Sequence, residues 1–213
     1  MKTMVVSILV GMMLVMSSCG GGSDPVKPVV PTAQQMAAEG WTAYTSNNYT
    51  LAIEKFNACI ASYPSYADAY AGAGWASLRN NNITEAKTFF TTGNGLNPTG
   101  DALYMIRIGL ASATLLDNST PATIGTAIVN YLSAHVNIAN TWVHPYDIRI
   151  TAITLHNLLA EGYINRGSAY WGTESGSAVN ALTAWGQIKK ALEMSTSDAK
   201  AVELRDYLRG VSL

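Results

Sequence analysis

Residues 33–66 read AQQMAAEGWTAYTSNNYTLAIEKFNACIASYPSY, and residues 67–100 read ADAYAGAGWASLRNNNITEAKTFFTTGNGLNPTG. A glycine, an alanine, a phenylalanine and a proline recur at the same places in both segments, 34 residues apart: Gly40, Ala52, Phe56 and Pro64, then Gly74, Ala86, Phe90 and Pro98. Around Phe56 the apolar residues fall at helical spacing and form one stripe. The sequence therefore predicts pairs of helices with the same contacts in each pair, the second helix ending at the proline.

The spacing of these four residue types resembles the tetratricopeptide repeat, whose period is 34 residues. The resemblance implies that small residues such as Gly40 and Ala52 let the two helices of a pair approach closely, and that Phe56 fills the space between successive pairs. It also implies an all-α solenoid of about four helical hairpins, each burying its apolar face against its neighbours. The expected units lie near residues 33–66, 67–100, 101–137 and 155–195, with a C-terminal capping helix over 198–210.

The third unit departs from the pattern. Ala127 and Tyr131 supply its alanine and aromatic only if a turn-rich loop is inserted around residues 116–121. The segment that follows this unit holds His144-Pro145, which is expected to mark the start of the next helix. Residues 147–155 are then expected to open a long helix.

The fourth unit is recovered from Gly162, which matches Gly40 in its surroundings. Ala181 and Trp185 then supply the alanine and aromatic, after a second inserted loop at residues 168–176. Tyr170 and Trp171 lie in this loop. They suit either stacking on a sugar or peptide, or folding back over the edge of the helices.

The N-terminus has the features of an export signal. Lys2 is followed by an apolar run over residues 4–16, too short for a permanent membrane span, and small residues then precede Cys19. This segment resembles the lipobox of bacterial lipoproteins, which implies a signal peptide over 1–18, lipidation at Cys19 and a bacterial envelope location, with Gly20 favouring the outer membrane. Residues 19–32 are rich in glycine and proline and predict a flexible tether to a domain over 33–213. The alternative is a simple signal peptide with an incidental cysteine.

The mature chain is nearly neutral. Removing Lys2 from the 13 basic residues leaves 12, against 14 acidic residues, and charged residues make up only 13% of the sequence. This composition offers no basic surface for nucleic acid or anionic lipid. Apart from Cys19 the only cysteine is Cys59, which lies on the apolar stripe and is expected to be a buried small hydrophobe rather than a redox thiol.

The resemblance also implies where a ligand would bind, because the first helix of each repeat lines the concave face in that family. Transferred residue by residue, and with the loop aromatic added, the candidate ligand-binding residues are Trp41, Tyr44, Trp75, Arg79, Met105, Tyr163 and Trp171. Trp41 and Trp75 are expected to form an aromatic platform beside a hollow at Met105 and Gly109. The alternative is that both tryptophans pack between neighbouring helices.

No pattern of catalytic residues is present in the sequence, so the chain is predicted not to be an enzyme. His135, His144 and His156 are expected on different elements and predict no metal site, and no phosphate-binding loop is found. No cofactor is therefore expected.

Two hypotheses for function follow. In the first, a membrane-anchored scaffold lipoprotein binds a peptide or envelope protein in its concave groove. In the second, a carbohydrate-binding surface lipoprotein uses Trp41, Trp75 and Trp171 as stacking platforms. Neither hypothesis requires nucleic acid or metal.

Overall fold

Helices occupy most of the chain in the computed structural model, which describes residues 30–175 and 182–211. The helices are α1 Ala33–Thr45, α2 Tyr49–Ser62, α3 Ala67–Arg79, α4 Ile83–Gly95, α5 Gly100–Leu115, α6 Pro121–Leu132, α7 Ala152–Arg166, α8 Ala184–Met194 and α9 Ala199–Val211. Short 3₁₀ turns lie at Ser133–His135 and Ser168–Tyr170. Two short antiparallel strands, β1 Val143–His144 and β2 Asp147–Thr151, form a hairpin between α6 and α7.

The helices pack in series. Each helix packs on the one that follows it in the chain, and α1, α3, α5 and α7 also contact one another in that order. The expected all-α class is confirmed at this level for the described residues. The predicted signal peptide, Cys19 and most of the tether lie outside them.

Two phenylalanines are packed in the same way in the repeated segments. The ring of Phe56 lies between Gly40 of α1 and Gly72 of α3, where an added Cβ would come within 2.6 and 2.1 Å of the ring, respectively. The ring of Phe90 lies between Gly74 of α3 and Gly109 of α5, with corresponding distances of 2.5 and 2.3 Å. The close approach predicted for the repeated glycines is therefore present, and glycine is required by lack of space.

The turns inside the first two helical pairs are also equivalent. Asn47 and Asn81 both have positive φ, 59° and 62°, a conformation that asparagine adopts more readily than most residues. In each turn the next asparagine donates its backbone N–H to a carbonyl five residues earlier, Asn48 to Ala43 and Asn82 to Ser77. The repeat in sequence therefore extends to the backbone.

The expected helix over 147–155 is wrong in its first half. Residues 147–151 form β2, and α7 begins only at Ala152, where Thr151 provides a capping box. Polar and apolar residues alternate along β2, and the β-branched Ile148, Ile150 and Thr151 favour extended backbone. Pro145 lies in the hairpin turn rather than at the start of a helix.

The C-terminal half packs differently from the repeats. The buried face of α6 carries Ile124, Ile128 and Leu132, whereas Ala127 and Tyr131 are only partly buried. Gly125 of α6 meets the backbone of α7, since a Cβ there would come within 2.5 Å of the Gly162 carbonyl.

The fourth expected unit is only partly described. Trp185 is the second residue of α8 rather than a residue of its middle, and Ala181 lies outside the described residues. Helix α9 packs on α8 and α7 through Ala201, Leu204 and Leu208. An apolar face on the C-terminal helix is therefore present, as predicted.

Cys59 is fully buried on α2, and its thiol contacts the Ala33 carbonyl oxygen at 3.4 Å. Burial is the main cause that raises its thiol pKa. The predicted role as a small core hydrophobe is confirmed.

Candidate binding site

The β hairpin lies against the tryptophans of α1 and α3. The ring of His144, which is 1% exposed, packs at a steep angle to both indoles, with centroid separations of 5.7 Å to Trp41 and 5.4 Å to Trp75. The Tyr146 ring stacks on the Trp41 indole at 4.0 Å with an interplanar angle of 9°. The hairpin therefore covers the surface that the sequence predicts to be an open aromatic groove.

Trp41 and Trp75 are interior residues as a result. They are 2% and 4% exposed, respectively. The expected open platform is therefore not present, and the packing alternative describes both side chains. The expected hollow near Met105 is absent as well, because the Phe90 ring occupies the space beside Gly109 and Met105 is itself buried.

The two indoles differ in the group that each N–H contacts. Trp41 Nε1 donates to the Asp68 carboxylate at 3.0 Å, whereas Trp75 Nε1 donates to the Met105 backbone carbonyl at 3.0 Å. A buried indole N–H needs an acceptor, so both side chains are fixed in orientation. Only the Trp41 contact involves a charged group.

Asp147 anchors the hairpin to the helices. Its side chain is 3% exposed and accepts hydrogen bonds from Tyr44 at 3.0 Å, Arg79 at 2.5 Å and Arg149 at 2.7 and 2.8 Å. Burial opposes ionisation of Asp147, but the hydrogen bonds from Arg149, Arg79 and Tyr44 outweigh it and hold its pKa well below the usual range. Burial likewise raises the pKa of Tyr44 to about 12, so Tyr44 is a neutral donor.

His144 is neutral at pH 7. Its Nδ1 accepts the Tyr146 backbone N–H at 3.1 Å, which places the ring proton on Nε2, and Nε2 has no hydrogen-bond partner among the described residues. Burial is the main cause that lowers its pKa to about 4. The ring therefore acts as a packing group between the two indoles.

An open pocket of about 460 Å³ lies beside the exposed face of the hairpin turn. Its walls include Tyr66, Asp68, Asn97, Thr99 and Tyr146. We call it the Tyr146 pocket. Its Tyr146 wall stacks on the buried Trp41.

Tyr44, Arg79 and Tyr163 were also predicted to be site residues. Tyr44 and Arg79 join Trp41 and Trp75 around the hairpin and donate to Asp147; Tyr44 is buried, whereas the Arg79 side chain stays 30% exposed. Tyr163 lies on α7, is 2% exposed and belongs to the hydrophobic core.

The aromatics of the second inserted loop lie close to the end of α7. Trp171 is partly buried and donates its indole N–H to the Ile164 carbonyl at 3.3 Å, so it folds back on the helices. The Arg166 guanidinium lies 3.8 Å from the centroid of the Tyr170 ring.

The residues that build the pocket were not among those selected from the sequence. Tyr146 lies directly before the segment 147–155 that was expected to be a helix, and Asp147, which anchors the hairpin, lies in it, so neither was selected. The alternation of polar and apolar residues over residues 147–151 was the available signal for a strand, and by the tetratricopeptide resemblance Asp68 corresponds to a ligand-facing repeat position.

Within residues 30–175 and 182–211, no group of three or more His, Cys, Asp or Glu side chains is placed to hold a metal ion. None of the helices in the same ranges is long and apolar enough to cross a membrane. The chain matches no protein-family model, no curated protein and no solved structure.

Proposed function

We propose that this chain is a lipid-anchored, non-enzymatic binding module of a bacterial outer membrane. It holds a peptide or protein at the Tyr146 pocket. The frame is a tetratricopeptide-like solenoid closed by the C-terminal helix. The lipobox-like segment ending at Cys19 supports the anchor, and the equivalent packing of Phe56 and Phe90 supports the repeat.

The stacking of Tyr146 on Trp41 is the observation that carries this proposal. Tyr146 remains 38% exposed, yet one face of its ring is fixed against the indole at 4.0 Å. A partner that packs on such a ring loses less side-chain freedom than one that must order a mobile tyrosine. Exposed, rigid aromatics are enriched among the residues that dominate protein interfaces.

The hairpin also exposes apolar side chains that a partner could contact. Ile148 is 84% exposed and Val143 is 41% exposed, and both belong to a sheet of only two strands. Contiguous exposed apolar surface commonly marks an interaction site. The proposed contact surface therefore runs from the Tyr146 pocket onto the hairpin.

Carbohydrate binding is the second candidate. The Tyr146 pocket combines an aromatic ring with the amide of Asn97 and the hydroxyl of Thr99, groups that can stack on a sugar and hydrogen-bond its hydroxyls. This version of the hypothesis no longer uses Trp41 or Trp75, because both are covered.

A site-specific crosslink tests the proposal. A photo-crosslinking amino acid replaces the exposed Thr99 in the full-length lipidated protein, and the same amino acid replaces the exposed Tyr207 of α9 as a comparator. We expect a defined envelope protein to crosslink from position 99 and not from 207, and Tyr146→Ala to abolish the product. Equal products from both positions, or a product that persists in Tyr146→Ala, would overturn the proposed surface.

A further inference from the structure

We propose that the Tyr146 pocket receives an organic cation, the side chain of a lysine or arginine of the partner protein. This inference rests on the proposed function and adds the chemistry of the group that is recognised. It comes from the Asp68 carboxylate and two tyrosine rings, which line the pocket together, and from the nearby charge of Asp101.

The pocket and its surroundings carry negative charge that forms no salt bridge within the described chain. Asp68 lines the pocket and Asp101 follows Thr99, another of its residues, by two positions. Each carboxylate accepts an indole N–H, Asp68 from Trp41 at 3.0 Å and Asp101 from Trp142 at 2.9 Å. Within the described chain neither forms a salt bridge, whereas Asp147, Asp117 and Asp206 do.

The Asp68 carboxylate is held in a fixed orientation and can accept further hydrogen bonds. Its Oδ2 accepts the Trp41 indole, and a carboxylate has acceptor sites beyond one hydrogen bond. Burial is the main cause that raises the Asp68 pKa, and the charge of Asp101 adds to it. A cation at this position would relieve both effects, because it compensates the charge that burial and repulsion disfavour.

The aromatic walls determine which cation fits. Tyr66 and Tyr146 line the pocket together, and Tyr146 is held flat on Trp41. The faces of aromatic rings attract ammonium and guanidinium groups but do not ligate metal ions. A neutral sugar would use the rings and leave both carboxylates uncompensated. The combination therefore favours an organic cation over a metal or a sugar.

The size of the pocket agrees with a side chain that arrives with its own backbone. The volume of about 460 Å³ falls within the range of about 300–1,000 Å³ that is usual for ligand sites. The pocket is open, which suits a residue presented by a larger partner. The hairpin that carries Tyr146 also exposes Ile148 and Val143, which are available to the neighbouring residues of that partner.

The indole N–H resonance of Trp41 offers a direct test in the intact, lipidated protein. Three probes are titrated: Nα-acetyl-lysine-N-methylamide, its neutral norleucine analogue and N-acetylglucosamine. We expect the lysine probe to shift the Trp41 resonance and the other two to leave it in place. Raising the salt from about 50 to 500 mM is expected to weaken the lysine response several-fold, because a partly exposed charge pair is screened.

Charge-removing variants identify the carboxylates. Asp68→Asn keeps an acceptor for Trp41 and is expected to weaken lysine binding about tenfold, the loss typical of a hydrogen bond to a charged group. Asp101→Asn is expected to weaken it about twofold and is the second variant if Asp68→Asn unfolds. Glu54→Gln, an exposed acid on α2 outside the pocket, is the matched control and is expected to change nothing.

The outcomes separate this inference from the function on which it rests. Equal responses to the lysine and norleucine probes, or unchanged lysine binding in Asp68→Asn and Asp101→Asn, overturn the cation site even if the Tyr146-dependent crosslink persists. A sugar response that survives Asp68→Asn also overturns it and favours the second candidate function. A lysine response lost in Asp68→Asn supports the cation site, even where the crosslink from position 99 fails and the protein partner is rejected.

Discussion

The repeated segment 33–100 and the hairpin at 143–151 shape the same face of the molecule but are held by different forces. Phe56 and Phe90 fit between glycines, so their contacts depend on shape and are apolar. The hairpin is held through Asp147, a buried carboxylate among two guanidinium groups and a phenol. The packing of a phenylalanine between glycines occurs in both sequence repeats. The Asp147 anchor, by contrast, joins Asp147 to Tyr44, 103 positions earlier in the chain, and occurs once among the described residues.

The largest expected effect comes from removing the Asp147 anchor. Asp147→Ala leaves the Tyr44 hydroxyl and two guanidinium groups without their acceptor, and we expect it to lower the free energy of unfolding by about 3 kcal/mol in urea titrations at pH 7. Asp117→Ala, which removes a half-exposed pair with Lys87, is the control and is expected to cost much less. Equal losses in the two variants would contradict the anchor.

The anchor also has a defined pH dependence. The pKa of Asp147 is lowered by folding, so its stabilisation is present above about pH 4, the usual pKa of an aspartate, and is lost as the pH falls further. Wild type and Asp147→Ala are therefore expected to converge in stability below pH 4. A difference that stays constant down to pH 2 would contradict this assignment.

The second prediction concerns the histidine beneath the hairpin. The pKa of His144 falls to about 4 on folding, so the unfolded chain binds the proton more tightly and stability declines as the pH drops from about 6.5 to 4. We expect this to cost about 2 to 3 kcal/mol by pH 4. His144→Asn, which retains an acceptor for the Tyr146 N–H, is expected to reduce the decline. The remaining slope would come from His135 and His156, whose pKa values burial also lowers.

The third prediction tests the shape-based packing. An alanine Cβ at position 72 would come within 2.1 Å of the Phe56 ring, so Gly72→Ala is expected to destabilise by about 2 kcal/mol. Gly95→Ala, at the last residue of α4, meets nothing within 4 Å and is expected to be neutral or slightly stabilising. Denaturant midpoints of the two variants are the measurement, and a neutral Gly72→Ala would show that the rings are not confined between glycines.

The smallest effect is expected at the exposed turn. Tyr146→Ala removes one stacked ring from Trp41 and is expected to lower stability by about 1 kcal/mol, the usual value of an aromatic pair. Tyr207→Ala removes a comparably exposed tyrosine from α9, and the described structure gives it no aromatic partner. Thermal unfolding of both variants separates stacking from loss of exposed area, and equal shifts would contradict the stacking.

The packing of α1–α4 could be predicted from the sequence because its contacts lie within one or two repeats. The shared spacing of Gly40 with Phe56, and of Gly74 with Phe90, predicts which glycine meets which ring within each helical pair. The site could not be predicted in the same way. The pairing of Asp147 with Tyr44 has no periodic signal in the sequence, and Pro145 was expected to mark the start of a helix, whereas it lies in the hairpin turn. The sequence left open whether Trp41 and Trp75 are exposed in a groove or packed, because their burial depends on this distant segment.

The most direct test of the covered groove is solvent contact at each of the five tryptophans. The protein is labelled with 5-fluorotryptophan, each ¹⁹F signal is assigned by a single Trp→Phe variant, and a soluble paramagnetic probe is added. We expect the signals of Trp41, Trp75 and Trp185 to remain sharp because those side chains are at most 5% exposed, while those of Trp142 and Trp171 broaden. Broadening of Trp41 and Trp75 to the same extent as Trp142 would show that the hairpin does not cover the groove and would contradict the account.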